Sequence, residues 1–292
     1  MPTADETPRP DTTAALTQLL RWYADMGVDV AVDATAHDRF AEAAEKAAAA
    51  PAPPQPRSAP AVAFRPAPET ARRSAEPAAS SLSIELVAQS AYAAAASAQS
   101  LDELREKLLA FEGCGLRATA TQLVFADGNP DAQIMFVGEA PGADEDRIGR
   151  PFVGKAGQLL DKMLAAINLD RGKVYIANIV PWRPPGNRTP TPLEAAACLP
   201  FIRRQIALVN PKVLVCLGAP SSHTLLPTKE SMMRLHGRWF DYDRNDAPEA
   251  ATIATIVMLH PAYLLRTPGH KKFAWADLRA LARKMQALGI DR

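Results

Sequence analysis

The sequence predicts an α/β fold, a three-layer α/β/α sandwich around a four-stranded parallel sheet, preceded by a disordered Pro/Ala-rich N-terminal arm. Three observations predict it. Four short apolar runs, Ile134–Gly138, Val174–Asn178, Val213–Gly218 and Thr255–His260, have the length and branched content of buried strands. Amphipathic stretches at Gly157–Ala166, Leu193–Val209 and Phe273–Leu288 separate or follow them, and strand–helix alternation implies a parallel sheet covered on both faces. Composition also changes near residue 80: 11 of the 26 prolines precede residue 81, and Gly27 is the sole glycine there.

Taken in order, residues 1–50 read as a polar arm with short helices. Asp11 or Thr12 caps a helix carrying Leu16, Leu19, Leu20, Tyr23 and Met26, which Gly27 ends, and an alanine-rich helix over 35–50 runs into Pro51. The first helix either docks on the main domain or binds a protein partner from a tether. Residues 51–80 form a Pro/Ala linker with little to bury. From 81 to 292 the chain reads as one domain. It opens with an alanine-rich helix near 82–98 and a second helix capped by Ser100, with Glu103 three residues on.

Charge follows the same division. The formal net charge of +1 is the sum of −4 over residues 1–100 and +5 over 101–292, so near-neutrality does not exclude an anionic partner. No run of 18 or more apolar residues occurs, which predicts no membrane span. The start of the chain lacks the basic-then-apolar pattern of a secretory signal. Three widely spaced cysteines, Cys114, Cys198 and Cys216, suit reduced thiols, and the expected location is cytoplasmic.

Parallel sheets bind ligands at the carboxyl ends of their strands, and here each end carries functional groups. The first is followed by Gly138-Glu139-Ala140-Pro141-Gly142, then Glu145, Arg147, Arg150, Phe152 and Lys155. The second ends at Asn178, followed by Trp182, Arg183 and Arg188 among prolines. The third ends at Gly218-Ala219-Pro220, and the fourth at His260-Pro261-Ala262-Tyr263-Leu264-Leu265-Arg266. Singly these signals are weak. The glycine-rich turn lacks the spacing of a dinucleotide fingerprint and the Lys-Ser/Thr of a triphosphate loop. An asparagine at a strand end is often a turn former, and a histidine before proline is often structural. Together they predict one crevice with carboxylates, an aromatic ring, an amide, a histidine and arginines.

The stretch from Cys114 to Arg266 resembles the family 4 uracil-DNA glycosylases. The resemblance rests on GEAPGADEDRIGRPFVGKAGQLLDKML, YIANIVPWRPPGNRTPTP and HPAYLLR, in that order and over more than half of the chain. It implies a monomeric, monofunctional base-excision-repair enzyme that flips deoxyuridine out of DNA and hydrolyses its N-glycosidic bond. It also implies roles. Phe152 stacks on the flipped pyrimidine, with Gly138 and Ala140 beside the base, and Asn178 reads the O4/N3–H edge that cytosine does not present. His260 lies near O2, where a donor stabilises the leaving uracil. Glu139 is the first choice to handle the water, and Glu145 the second, unless Glu145 instead walls off the 5-position against thymine. Arg147, Arg150, Lys155, Arg183, Arg188 and Arg266 are expected on phosphates, and Leu264 or Leu265 as the apolar wedge that fills the vacated stack.

The chain departs from the resemblance at one place. Many family 4 enzymes hold a four-iron, four-sulfur cluster with four cysteines, and the matching positions here are Phe111, Cys114, Trp182 and Cys198. Phenylalanine and tryptophan cannot ligate iron, so no cluster, and no other metal or cofactor, is expected. Two other readings stay open: a uracil-DNA-binding or covalent-trapping protein with little turnover, and a phosphate-metabolising α/β enzyme. The Arg-rich insertion and GEQPG motif of a covalent-trapping relative are absent, which disfavours trapping.

Overall fold

The computed structural model describes residues 76–243 and 252–290, all within a compact unit, Ala71–Arg292. The expected helices over 11–27 and 35–50, and the linker up to residue 75, lie outside the described residues. Helix α1 (Glu76–Ala96) starts earlier than expected: the last part of the expected linker is its first turn, where Pro77 needs no amide partner. Helix α2 (Leu101–Ala110) is capped as its sequence implies, with the Ser100 hydroxyl accepting from the Glu103 amide.

The sheet is mixed and mostly parallel, with six strands rather than four, in the order β1-β3-β2-β4-β6-β5. The four expected strands are β2 (Ile134–Gly138), β3 (Tyr175–Asn178), β4 (Val213–Leu217) and β6 (Ile253–Met258), all mutually parallel. Two antiparallel edge strands extend them. β1 (Asp127–Gly128) pairs with β3, and β5 (Trp239–Tyr242) pairs with β6. β1 has two residues and β5 is half-exposed, so neither shows the apolar run that marks the inner strands.

Both faces of the sheet are covered. Met135, Val137, Leu214 and Cys216 face a cluster with Leu104 of α2 and with Phe201 and Ile202 of α5 (Pro192–Val209). Helix α1 packs along α5 on that side. Ile134, Phe136, Val213 and Val215 face Leu160 and Leu164 of α4 (Lys155–Ala165), Leu264 of α8 (Pro261–Arg266), and Leu278 and Leu281 of α9 (Lys271–Ala287). The short helix α3 (Ala143–Ile148) follows β2, and α6 (Ala219–Leu225) and α7 (Met232–Leu235) lie in the β4–β5 connection. Because β2 lies between β3 and β4, the chain reverses its direction of winding there. A crevice opens at such a switch point.

Candidate active site

The carboxyl ends of β2, β3, β4 and β6 converge on a cleft of about 700 Å³. Its floor is set by strand register. Gly138 closes β2 directly beside Asn178, the last residue of β3. A Cβ on Gly138 would lie 2.5 Å from Asn178 Oδ1 and 2.6 Å from the Phe152 ring, so only glycine permits this approach. Asn178 is 5% exposed, and its Oδ1 is buried without a hydrogen-bond partner. Among the described residues one other buried side-chain atom, Arg203 Nε, also lacks a partner. Asn178 is the one of the two that lines the cleft, and an unpaired buried polar atom there points to a ligand.

Phe152 sits beside it, also 5% exposed, with its ring centroid 5.5 Å from that of His260. His260 caps α8, with Nδ1 accepting from the Ala262 amide at 3.1 Å. That bond leaves Nε2 as the protonated nitrogen of the neutral ring. Burial, together with the Arg266 charge, pulls the pKa of His260 down to about 4, so the ring is neutral at pH 7. Gly218, at φ 88°, allows the end of β4 to pass His260, whose Cβ would lie 3.1 Å from a Cβ there.

Two carboxylates stand on the β2 side, and the structure separates their roles. Glu139 is half-buried, and its backbone is fixed by the Val180 amide donating to its carbonyl at 3.0 Å. Burial raises its pKa above the usual carboxylate range, opposed by a hydrogen bond from the Thr189 hydroxyl. Glu145 departs from the expectation that it handles water. Its Oε1 accepts from the amides of Val153 and Gly154, each at 2.9 Å, and its Oε2 from the Gly142 amide at 3.1 Å. With both oxygens engaged by backbone, Glu145 braces the glycine-rich turn against the Phe152 loop.

Three further residues have surroundings that the sequence did not show. Leu264 is 1% exposed and packed in the core, whereas Leu265 is 42% exposed, so the apolar side chain available to a partner is Leu265. Arg188 lines the cleft but forms a bidentate pair with Glu194 at 2.8 and 2.6 Å, an interaction that holds Glu194 at a pKa of about 2. Its guanidinium is thus engaged within the protein. Arg183 donates to Asn187 Oδ1 at 2.7 Å. Glu139, Ala140, Glu145, Phe152, Asn178, His260 and Arg266 all line the cleft, while Arg147, Arg150, Lys155 and Arg183 lie outside its lining. Sequence reasoning missed Thr189 and the Ser231–Met233 segment, which close the cleft from loops without a recognisable motif.

The residues at the four cluster positions do not fit a four-iron group. Cys114 and Cys198 are buried with their sulfurs 3.8 Å apart, Cys198 donating to Cys114. That bond lowers the pKa of Cys114 and raises that of Cys198. The other two positions hold Trp182, 2% exposed, and Phe111, whose ring lies 5.1 Å from that of Phe201. Cys216 is buried on β4. Among the described residues, no group of three or more His, Cys, Asp or Glu is arranged to hold a metal ion.

Residues 125–279 match the model of the uracil DNA glycosylase superfamily. A type-4 uracil-DNA glycosylase of Archaeoglobus fulgidus is 39% identical over 187 residues, 63% of this chain and 92% of its own length. One from Thermotoga maritima is 41% identical over 167 residues, 57% of this chain and 83% of its own. A type-5 uracil-DNA glycosylase of Pyrobaculum aerophilum is 37% identical over 106 residues, 31% of this chain and 46% of its own. With the superfamily match spanning the whole cleft and the type-4 relatives covered almost end to end, the chain belongs to the type-4 family of the uracil-DNA glycosylase superfamily.

Proposed function

We propose that this protein is a uracil-DNA glycosylase that flips deoxyuridine out of DNA and hydrolyses its N-glycosidic bond. The products are uracil and an abasic site. The observation that carries this is Asn178, which lines the cleft with its Oδ1 orphaned and shares its contact with Gly138 with the Phe152 ring. Uracil supplies what that atom lacks. Its N3–H donates to Oδ1 while the Asn178 amide donates to O4. Cytosine presents an acceptor at N3 and a donor at C4, the reverse pattern, and is rejected.

The chemistry follows from the neighbours. Phe152 stacks on the flipped ring, and Gly138 and Ala140 leave room for its edge. As the C1′–N1 bond breaks, charge builds on the uracil, and the His260 Nε2–H donates to O2. Glu139 orients the water, takes its proton as the C1′–O bond forms, and favours the cationic sugar electrostatically. Arg147, Arg150, Lys155, Arg183 and Arg266 hold phosphates, with Arg188 a weaker contributor because of Glu194. Leu265 enters the vacated stack. Residues 81–292 act as the catalytic domain, extended in helix α1 to Glu76.

The test is release of uracil from a single-uracil oligonucleotide in excess over enzyme, in chelator, on U:A, U:G, T:G and single-stranded substrates. Multiple turnovers on uracil substrates are expected. A protein–DNA band that survives denaturation, or one product per enzyme, would replace catalysis by trapping or binding. A metal or triphosphate requirement would point to a phosphate-metabolising enzyme instead.

Two further results are expected. Gly138→Ala pushes on Asn178 and Phe152 together, and uracil release should fall about a hundredfold, as misplacement of about 1 Å in a site commonly does. Initial rates beside the thermal midpoint would separate this from unfolding. The purified protein should contain no stoichiometric iron and show no visible iron–sulfur absorbance, since Phe111 and Trp182 supply packing instead of ligands. Iron analysis finding about four atoms per chain would contradict it.

A further inference from the structure

Phe152 has φ 55°, in the left-handed region that a bulky residue enters only when its surroundings compel it. The compelling contacts come from both sides of its peptide. On the following side, Glu145 accepts from the Val153 and Gly154 amides. On the carbonyl side, the Arg171 guanidinium donates to Pro151 O at 3.2 Å and to Phe152 O. Arg171 belongs to a 3-10 turn, Arg171–Lys173, that leads into β3, and it does not line the cleft. Its own orientation is set by two carboxylates. Nη1 donates to Asp127 on β1, and Nε donates to Asp161 on α4 at 2.8 Å. Gly157 closes the remaining side, because a Cβ there would lie 1.6 Å from Phe152 O.

We propose that Arg171 is a positioning residue for base excision. Anchored by Asp127 and Asp161, it holds the Phe152 carbonyl and so fixes the ring as a platform for the flipped base. This inference rests on the glycosylase reading and gives it a residue outside the cleft. The geometry needs a planar fork, since one guanidinium serves two carbonyls and two carboxylates at once. An ammonium at the end of a flexible stem cannot reproduce those directions. A strained loop held this way would relax once the fork is lost, turning the Phe152 ring out of register with Asn178.

The experiment uses the full chain with Arg171→Gln and Arg171→Lys, each alone and combined with Phe152→Ala. Amide exchange at Val153 and Gly154 should speed up about tenfold or more in Arg171→Gln, with amides of β2 and β4 unchanged. Single-turnover uracil release should fall about 10- to 100-fold while DNA affinity changes less than about twofold. In the Phe152→Ala background, the same substitution should cost less than about twofold, because its effect runs through that ring. Unchanged exchange at Val153 and Gly154, full additivity with Phe152→Ala, or full activity of Arg171→Lys would each overturn the proposal. Should Arg171→Gln fail to fold, Asp161→Asn removes one anchor only and is expected to show the same pattern more weakly. If the wild-type chain releases no uracil, the glycosylase reading fails by itself, and the exchange data alone decide whether Arg171 holds the Phe152 loop.

Discussion

Asn178→Ala is expected to lower uracil release about a thousandfold or more. Each lost hydrogen bond in a water-excluded site costs about 100-fold or more when the partner group stays buried and unpaired. The variant should nevertheless be as stable as the wild type, or slightly more stable. In the free protein Asn178 Oδ1 is already buried without a partner, so alanine removes an unsatisfied oxygen rather than an interaction. Single-turnover rates and thermal midpoints on the same preparations check both halves. A large fall in stability with activity retained would make Asn178 a structural residue and remove the main support for the function.

His260→Gln or His260→Ala should cost about 100- to 1,000-fold in the rate of base release, the range for loss of one preorganised donor. The pH dependence gives a sharper test. With its pKa near 4, His260 is neutral across the working range, so no limb of the rate profile should fall at the ordinary histidine value of about 6.5. On the proposed role of Glu139, which requires its carboxylate to be ionised, the ascending limb should belong to that residue. Because burial raises its pKa, the rate should climb with pH through a value above the usual carboxylate range and then level off. Glu139→Gln should abolish that limb, and His260→Gln should keep it. A limb near pH 6.5 that disappears in His260→Gln would instead mean that a charged imidazolium takes part.

Stability supplies an independent sign for the same ring. The folded pKa of His260 lies below its unfolded value, so the unfolded chain takes up the proton first as the solution is acidified. The stability associated with the neutral ring is full above about pH 6.5 and is lost as pH falls toward about 4. Thermal midpoints of His260→Gln should fall less steeply over that window than those of the wild type.

Much of the fold was legible because the inner strands are buried on both faces and so appear as uninterrupted apolar runs. β2 reads Ile-Met-Phe-Val-Gly, and every residue in it is buried. The edge strands were not legible for the opposite reason. β5 is half-exposed and β1 two residues long, and each is a strand only through pairing with a neighbour distant in sequence. Helix α1 begins before the expected linker end because alanine-rich sequence around Pro77 suits a first helical turn as well as a tether.

In the site, the distinction runs between residue type and residue environment. The sequence by itself determined the chemical inventory at the strand ends: an amide, an imidazole, a phenyl ring, two carboxylates and several arginines, with two aromatics where thiolates would hold iron. Only the tertiary structure decided what each could still do. It leaves Asn178 Oδ1 unpaired and fills the Glu145 carboxylate with three amides. It turns Leu264 inward and Leu265 outward, pairs Arg188 with Glu194, and gives Arg171 a grip on the Phe152 peptide. The physical reason is that a side chain's residual capacity depends on which partners already occupy it. Those partners come from segments far apart in the chain, which no local pattern encodes.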